Sequence, residues 1–185
     1  MPRRENDFYP TPAWATKLLI ARANIPRGCT VLEPCAGDGA IANVIKKYHN
    51  GLVITNDIDR QWSCDAYLDA CDDRLYDTVE PDVIISNPPF SLAHVIVPKA
   101  VASAYRYTAM LLRLSWLEPV LNRGMWLAKN PPDQLIVLPR ISFTGDGKTD
   151  SVPCAWFIWE TTPFSVIHPI EVIPRLNRQV VDVKQ

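Results

Sequence analysis

Glycine is scarce in this chain, 7 residues in 185, whereas proline occurs 17 times. That ratio predicts rigid loops, and no stretch has the glycine content, or the following Lys-Ser/Thr, that a phosphate-binding loop requires. Charge of one sign is also lacking: 19 Lys and Arg stand against 20 Asp and Glu, a formal net charge of −1. No global field therefore draws the chain onto nucleic acid, and any such binding must use a local patch. The five cysteines, at 29, 35, 64, 71 and 154, contain no C-x-x-C pair and leave one over. This argues against a structural zinc site and for a reducing, cytoplasmic setting. No apolar run approaches the length of a membrane span or signal core, so no membrane role is expected. No repeat or low-complexity tract is evident. What remains is an ordinary globular composition, 48% hydrophobic and 21% charged, of a size that suits one domain with its own core.

One stretch stands out. Residues 82–85, Asp-Val-Ile-Ile, read as a buried strand that runs into Ser86-Asn87-Pro88-Pro89-Phe90. Two successive prolines cannot continue a central strand, because each lacks the N–H that a ladder needs. The strand must stop at Asn87, which leaves its side chain at the carboxyl edge where open α/β sheets bind ligands. A plain turn would use the same residues.

Upstream, Asp7-Phe8-Tyr9-Pro10-Thr11-Pro12 precedes a helix-periodic stretch from 13 to 23. Thr11 is expected to cap that helix with Pro12 in its first turn; a second reading has Phe8 and Tyr9 line a ligand. A strand at 30–32 then turns through Glu33-Pro34-Cys35-Ala36-Gly37-Asp38-Gly39 into a helix over about 40–48. Gly37 and Gly39 permit positive φ or close approach. Glu33 and Asp38 would repel a pyrophosphate, so this loop suits a cationic or hydroxyl-rich ligand. A second strand, 51–55, ends at Asn56-Asp57-Ile58-Asp59. Asp57 lies 18 residues past Gly39, near the spacing at which an acid grips a ribose diol in nucleotide-binding βαβ units. A helix cap is the alternative use of Asp57 or Asp59. Residues 66–68 read as a short strand ending at Asp69, whose carboxylate can accept an aromatic amine, with Asp65 as the second candidate.

Beyond Phe90, a crossover helix is expected over 92–104, a strand over 108–112, and a helix capped by Ser115 and including Trp116, Leu117, Val120 and Leu121. Strands at 135–138 and 154–159 are separated by a largely polar run of about 14 residues, 139–152. That is too short for a crossover helix, so this pair should be antiparallel. The repeated strand–helix units give an α/β fold with a mostly parallel sheet. Residues 164–185 read as a C-terminal extension of extended pieces packed over the surface.

The order of these motifs resembles the S-adenosylmethionine-dependent DNA adenine-N6 methyltransferases, in size similar to small phage and prophage enzymes. The likeness covers residues 8–159 and rests on the aromatic-x-Thr-Pro lead-in, the Glu-Pro-x-x-Gly-x-Gly loop, the acid after the second strand, and Asn-Pro-Pro-Phe. It implies a Rossmann-like class I methyltransferase fold, a mostly parallel seven-stranded sheet with an antiparallel last strand, in a single domain over residues 1–185. Residues 1–12 would be a cofactor-contacting segment, and no separate target-recognition domain is expected. By resemblance, S-adenosyl-L-methionine would be held by Tyr9, Thr11 and Pro12 at its methionine end and by Glu33, Ala36 and Gly37 around the sulfonium. Asp57 would bind its ribose, Ile58 its adenine face and Asp69 its exocyclic amine. Asn87, Pro88, Pro89 and Phe90 would form the catalytic site, with Arg140 and Lys148 reaching DNA, and Arg3, Arg4 and Lys17 adding phosphate contacts.

That chemistry needs those residue types. The exocyclic amine of adenine is a weak nucleophile because its lone pair is delocalised into the ring. An Asn carbonyl and the Pro88 backbone carbonyl can each accept one N–H, which aims the lone pair at the methyl group. Phe90 offers a stacking face for a base flipped from a duplex or taken from a single strand. Phe rather than the commoner tyrosine departs from the family pattern. The same edge would serve an RNA base, cytosine N4 or a protein glutamine, and an inactive binding module of this fold is the non-enzymatic alternative. The protein is expected to act as a monomer or homodimer.

Overall fold

The computed structural model describes residues 9–23, 25–141, 152–161 and 170–172. Seven strands form one sheet in the order β2-β1-β3-β4-β6-β5-β7. They are β1 (Val31–Glu33), β2 (Val53–Thr55), β3 (Val83–Ser86), β4 (Tyr107–Arg113), β5 (Gln134–Val137), β6 (Cys154–Glu160) and β7 (Ile170–Val172). The helices are α1 (Ala13–Arg22), α2 (Ala40–Tyr48), α3 (Asp73–Val79), α4 (Ala93–Ser103) and α5 (Leu121–Lys129). Only β6 runs against the rest, paired antiparallel to both β4 and β5. Among the described residues no helix is long and apolar enough to cross a membrane, and none of the five cysteines forms a disulfide.

The buried strands alternate between two apolar layers, as a sheet covered on both faces must. Val31, Val83, Ile85, Trp156 and Ile158 pack with Leu18 and Leu19 of α1 and Ile41 and Ile45 of α2. Leu32, Ile84, Phe157 and Trp159 face the other way, onto Leu75 of α3, Ile96 and Val97 of α4, and Leu127 of α5. Each such aliphatic side chain contributes on the order of 1.5–3 kcal/mol on burial. Trp156 is fully buried, and its indole N–H donates to the Ala15 carbonyl at 2.9 Å, which pins α1 to the sheet.

The expected antiparallel pairing after the polar stretch is present, with Val137 opposite Ala155 and Gln134 opposite Ile158. Several local expectations are corrected. Residues 66–68 form no strand; only a single bridge joins Ala66 to Asn56. The seventh strand is β7 instead, which extends the sheet at the β5 edge and runs parallel to it. The antiparallel strand is thus the sixth in the chain. Ser115 does not cap a helix. It lies inside a 3₁₀ turn, Leu114–Leu117, and α5 begins only after Pro119, whose ring bars helical backbone at Glu118. Helix α3 was not legible from periodicity. Asp72 caps it by accepting the Arg74 N–H at 2.9 Å, and only Leu75 and Tyr76 are buried.

Chain order places a switch in the sheet. From β1 the chain crosses through α2 to β2 on one side, then through α3 to β3 on the other side of β1. The crevice where direction reverses lies outside the carboxyl ends of β1, β2 and β3, the position at which open α/β sheets bind ligands.

Replacing Trp156 with Phe removes the indole bond to α1 while keeping most of the buried ring. The variant should lose about 1–3 kcal/mol, read as a fall of roughly 3–10 °C in the thermal midpoint. An unchanged midpoint would show that α1 is held by other contacts.

Candidate active site

A cavity of about 1000 Å³ occupies this crevice. Three loops build it, one from the end of each central strand: Glu33 to Asp38 after β1, Asp57 to Asp59 after β2, and Asn87 and Pro89 after β3. Tyr9 and Thr11 close it from the segment before α1.

The loop after β1 turns on Gly37 and Gly39, both with positive φ, at 52° and 77°. Gly39 is the cap position of α2 and offers no side-chain acceptor. The buried Glu33 carboxylate does that work from the strand end: its Oε2 accepts the Ala42 N–H at 2.8 Å, in the first turn of α2. Burial holds the Glu33 carboxyl well above the ordinary glutamate value of 4.5; the Ala42 N–H opposes this, and nearby Asp38 and Asp57 reinforce it.

Asp57 caps no helix. One carboxylate oxygen accepts the Gly37 N–H at 2.8 Å and the other the Asp59 N–H at 2.9 Å, so the side chain ties two ligand loops together at the cavity wall. Ile58 is 67% exposed and lines the same wall, an apolar face without a protein partner large enough to cover it. Asp69 also lines the cavity and accepts the Cys71 N–H at 2.8 Å. Asp65 does not line it. Its carboxylate is committed to the backbone N–H and hydroxyl of Thr55, at 2.8 and 2.7 Å, and those bonds hold its pKa low.

Asn56, beside Asp57, carries a role that the sequence did not reveal. It is fully buried; its amide donates to the carbonyls of Pro34 and Leu68 and accepts the Leu68 N–H, all at 2.8–2.9 Å. Both amide hydrogens and one acceptor site of the oxygen are used, and the loops bearing Glu33 and Asp69 are thereby stapled to the end of β2. Trp62 is a further cavity residue that sequence reading passed over.

At the end of β3, the Asn87 side chain donates from Nδ2 to the Tyr9 carbonyl at 2.9 Å and to the Thr11 hydroxyl at 3.1 Å. Thr11 is therefore not the cap of α1, which has no side-chain cap; Pro12 starts the helix and its carbonyl accepts the Ala15 N–H. A backbone carbonyl can only accept, so the amide nitrogen must face Tyr9 and the amide oxygen is turned away. Among the described residues no donor meets that oxygen. The Pro88 carbonyl likewise has no backbone donor, whereas the Pro89 carbonyl accepts the Leu92 N–H at 2.9 Å and so closes the turn.

The other expected residues divide. Ala36 and Gly37 line the cavity; Pro12, Pro88 and Phe90 do not. Phe90 stands beside it, with the Tyr9 ring 6.1 Å away at 25° and the Arg113 guanidinium 4.4 Å over its face. Arg140 is exposed and does not line the cavity, Lys17 is half-buried on α1, and Lys148, Phe8, Arg3 and Arg4 lie outside the described residues.

In charge, the cavity is one-sided. Glu33, Asp38, Asp57, Asp59 and Asp69 line it, and among the described residues no Lys or Arg does. Such a surface disfavours phosphates and suits a cationic, hydroxyl-bearing ligand.

The protein shares this architecture with known structures. The type I restriction-modification methyltransferase subunit of Streptococcus thermophilus superposes with a TM-score of 0.62 at 14% identity, over 81% of this chain and 44% of that one. The M protein of the type I restriction enzyme EcoKI gives 0.65 at 12% identity, over 81% and 43%. A Pyrococcus horikoshii protein described as an RNA methyltransferase gives 0.65 at 14% identity, over 84% and 88%. The fold is that of the Rossmann-like class I methyltransferases. The chain spans less than half the length of the type I subunits that it matches. No protein-family model and no curated protein matches it in sequence.

Glu33 gives this site a pH signature. The folded chain keeps a proton that the unfolded chain releases near 4.5. Stability is therefore greatest below that value and declines as pH rises toward the higher folded value. Glu33→Gln, whose amide oxygen can still accept the Ala42 N–H, should abolish the decline in a series of thermal midpoints from pH 4.5 to 8. A variant that declines in parallel with the wild type would place the proton elsewhere.

Proposed function

We propose that this protein transfers a methyl group from S-adenosyl-L-methionine to the exocyclic N6 amine of adenine in DNA. The single observation that carries the reading is Asn87: its amide nitrogen is anchored to Tyr9 and Thr11, and its oxygen, at the rim of the acidic cavity, meets no donor among the described residues. A planar aromatic amine must donate both of its N–H bonds to become a nucleophile. The Asn87 Oδ1 and the Pro88 carbonyl are two acceptors on adjacent residues, neither used by a backbone donor of the described residues.

The cavity supports the cofactor by its donor set. Besides one carboxylate, S-adenosylmethionine carries a sulfonium, an ammonium and a ribose diol, which suit a lining that holds five acidic side chains and, among the described residues, no Lys or Arg. Glu33 and the Ala36–Gly37 backbone would hold its amino-acid end with Tyr9 and Thr11, Asp57 its ribose, Ile58 and Trp62 its adenine ring, and Asp69 the ring amine. When bound, the cofactor supplies a methyl group on a good leaving group, so positioning rather than proton transfer is what the protein must contribute. A cation beside Glu33 favours the ionised carboxylate, so affinity should rise with pH through the range in which Glu33 gives up its proton. Phe90, with Arg113 across its face, would form the wall against which a flipped base packs.

Type I modification subunits among the structures of like fold favour DNA as the substrate. One observation favours RNA instead: the Pyrococcus protein described as an RNA methyltransferase is matched over 88% of its length and so is close in extent to this chain.

The deciding experiment incubates the protein with methyl-labelled S-adenosylmethionine and unmethylated DNA, RNA or a protein lysate. Label should appear in DNA as N6-methyladenine, and Asn87→Ala should lower its rate by about a hundredfold or more, the scale for losing a preorganised transition-state contact. Label confined to RNA or protein would replace the substrate, and no label with any of them would end the enzymatic reading.

A further inference from the structure

The register of β4 leads to a substrate contact that the sequence did not suggest. β3 ends at Ser86, opposite Met110 of β4. β4 runs three residues further, paired from Leu111 to Arg113 with β6 alone. This overhang flanks the Asn87-Pro88-Pro89-Phe90 turn and sets Arg113 above the sheet edge, its guanidinium 4.4 Å over the Phe90 ring. The Arg113 Nε is shut off from solvent and meets no acceptor. Among the described residues no carboxylate pairs with this side chain. A guanidinium that lies by its face on an aromatic ring still directs its edge donors outward, and those donors match phosphate oxygens.

Charge decides where a phosphate can go. The cavity on one side of Asn87 is lined by five carboxylates and repels it; Arg113 stands on the Phe90 side of the same turn. We infer that Arg113 is the phosphate clamp of the nucleic-acid substrate, gripping the backbone beside the nucleotide whose base reaches Asn87. The inference rests on the proposed nucleic-acid reading of the site, but its test does not depend on methyl transfer.

The test is equilibrium binding of a fluorescent DNA oligonucleotide to the full chain across a salt series, by anisotropy, for the wild type, Arg113→Met and Arg113→Lys. Loss of one phosphate contact should weaken binding about tenfold and reduce the slope of log affinity against log salt by about one. Lys keeps the charge, so its slope should stay near that of the wild type while affinity falls less. Calorimetry with S-adenosylhomocysteine, whose cavity Arg113 does not line, confirms that each variant is folded. An Arg113→Met slope equal to that of the wild type, or equal slopes for Met and Lys, would overturn the inference. So would a wild type that binds no DNA. DNA binding with the predicted slopes but without methylation would instead sink the proposed reaction and leave the clamp standing.

Discussion

The site depends on one hydrogen-bonded anchor: the Asn87 amide nitrogen held by the Tyr9 carbonyl and the Thr11 hydroxyl. These partners lie 78 and 76 residues away in sequence. The anchor closes the segment before α1 over the end of β3, and in doing so turns the amide oxygen outward. Without it, the amide could flip, and the edge would present a donor where the proposed reaction needs an acceptor. The two prolines that follow stop the ladder, so the neighbouring carbonyl is also released from the sheet.

Around that anchor the molecule separates charge. The acidic loops after β1 and β2 face one side of Asn87, while the Phe90 ring and Arg113 face the other. The acidic side is not built from loose surface residues. Glu33 caps α2, Asp57 bridges two loops, and Asn56 staples their neighbours. Each of the five acidic side chains at the wall is thus placed by a bond from a backbone N–H, so a bound cation would require little rearrangement of them. The energetic cost falls on Glu33, whose burial favours the neutral form.

Much of this frame was legible from local pattern. Proline pairs and β-branched runs bounded the central strands, and acidic residues at strand ends marked the crevice. The short polar stretch after residue 138 implied the antiparallel pair that the sheet contains. What stayed hidden was set by tertiary contact. Thr11 reads as a helix cap because a cap needs only a hydroxyl before an apolar run, and nothing local reveals that Asn87 takes it. Residues 66–68 have strand-like composition, but Asn56 holds them as a loop through Leu68. Arg113 is a lone basic residue until the overhang of β4 places it on Phe90. Helix α3, seven residues with one buried pair, carries too few turns for periodicity to show.

In the proposed reaction the Thr11 hydroxyl, 3.1 Å from the Asn87 Nδ2, orients the amide that would polarise the substrate amine. The most direct measurement compares methyl-transfer kcat on DNA for Thr11→Val and Thr11→Ser. Val keeps the shape and loses the acceptor, and Ser keeps the acceptor. The account predicts a fall of about three- to tenfold for Val, the scale of one neutral hydrogen bond, with Ser close to the wild type. Equal rates for Val and Ser would contradict it.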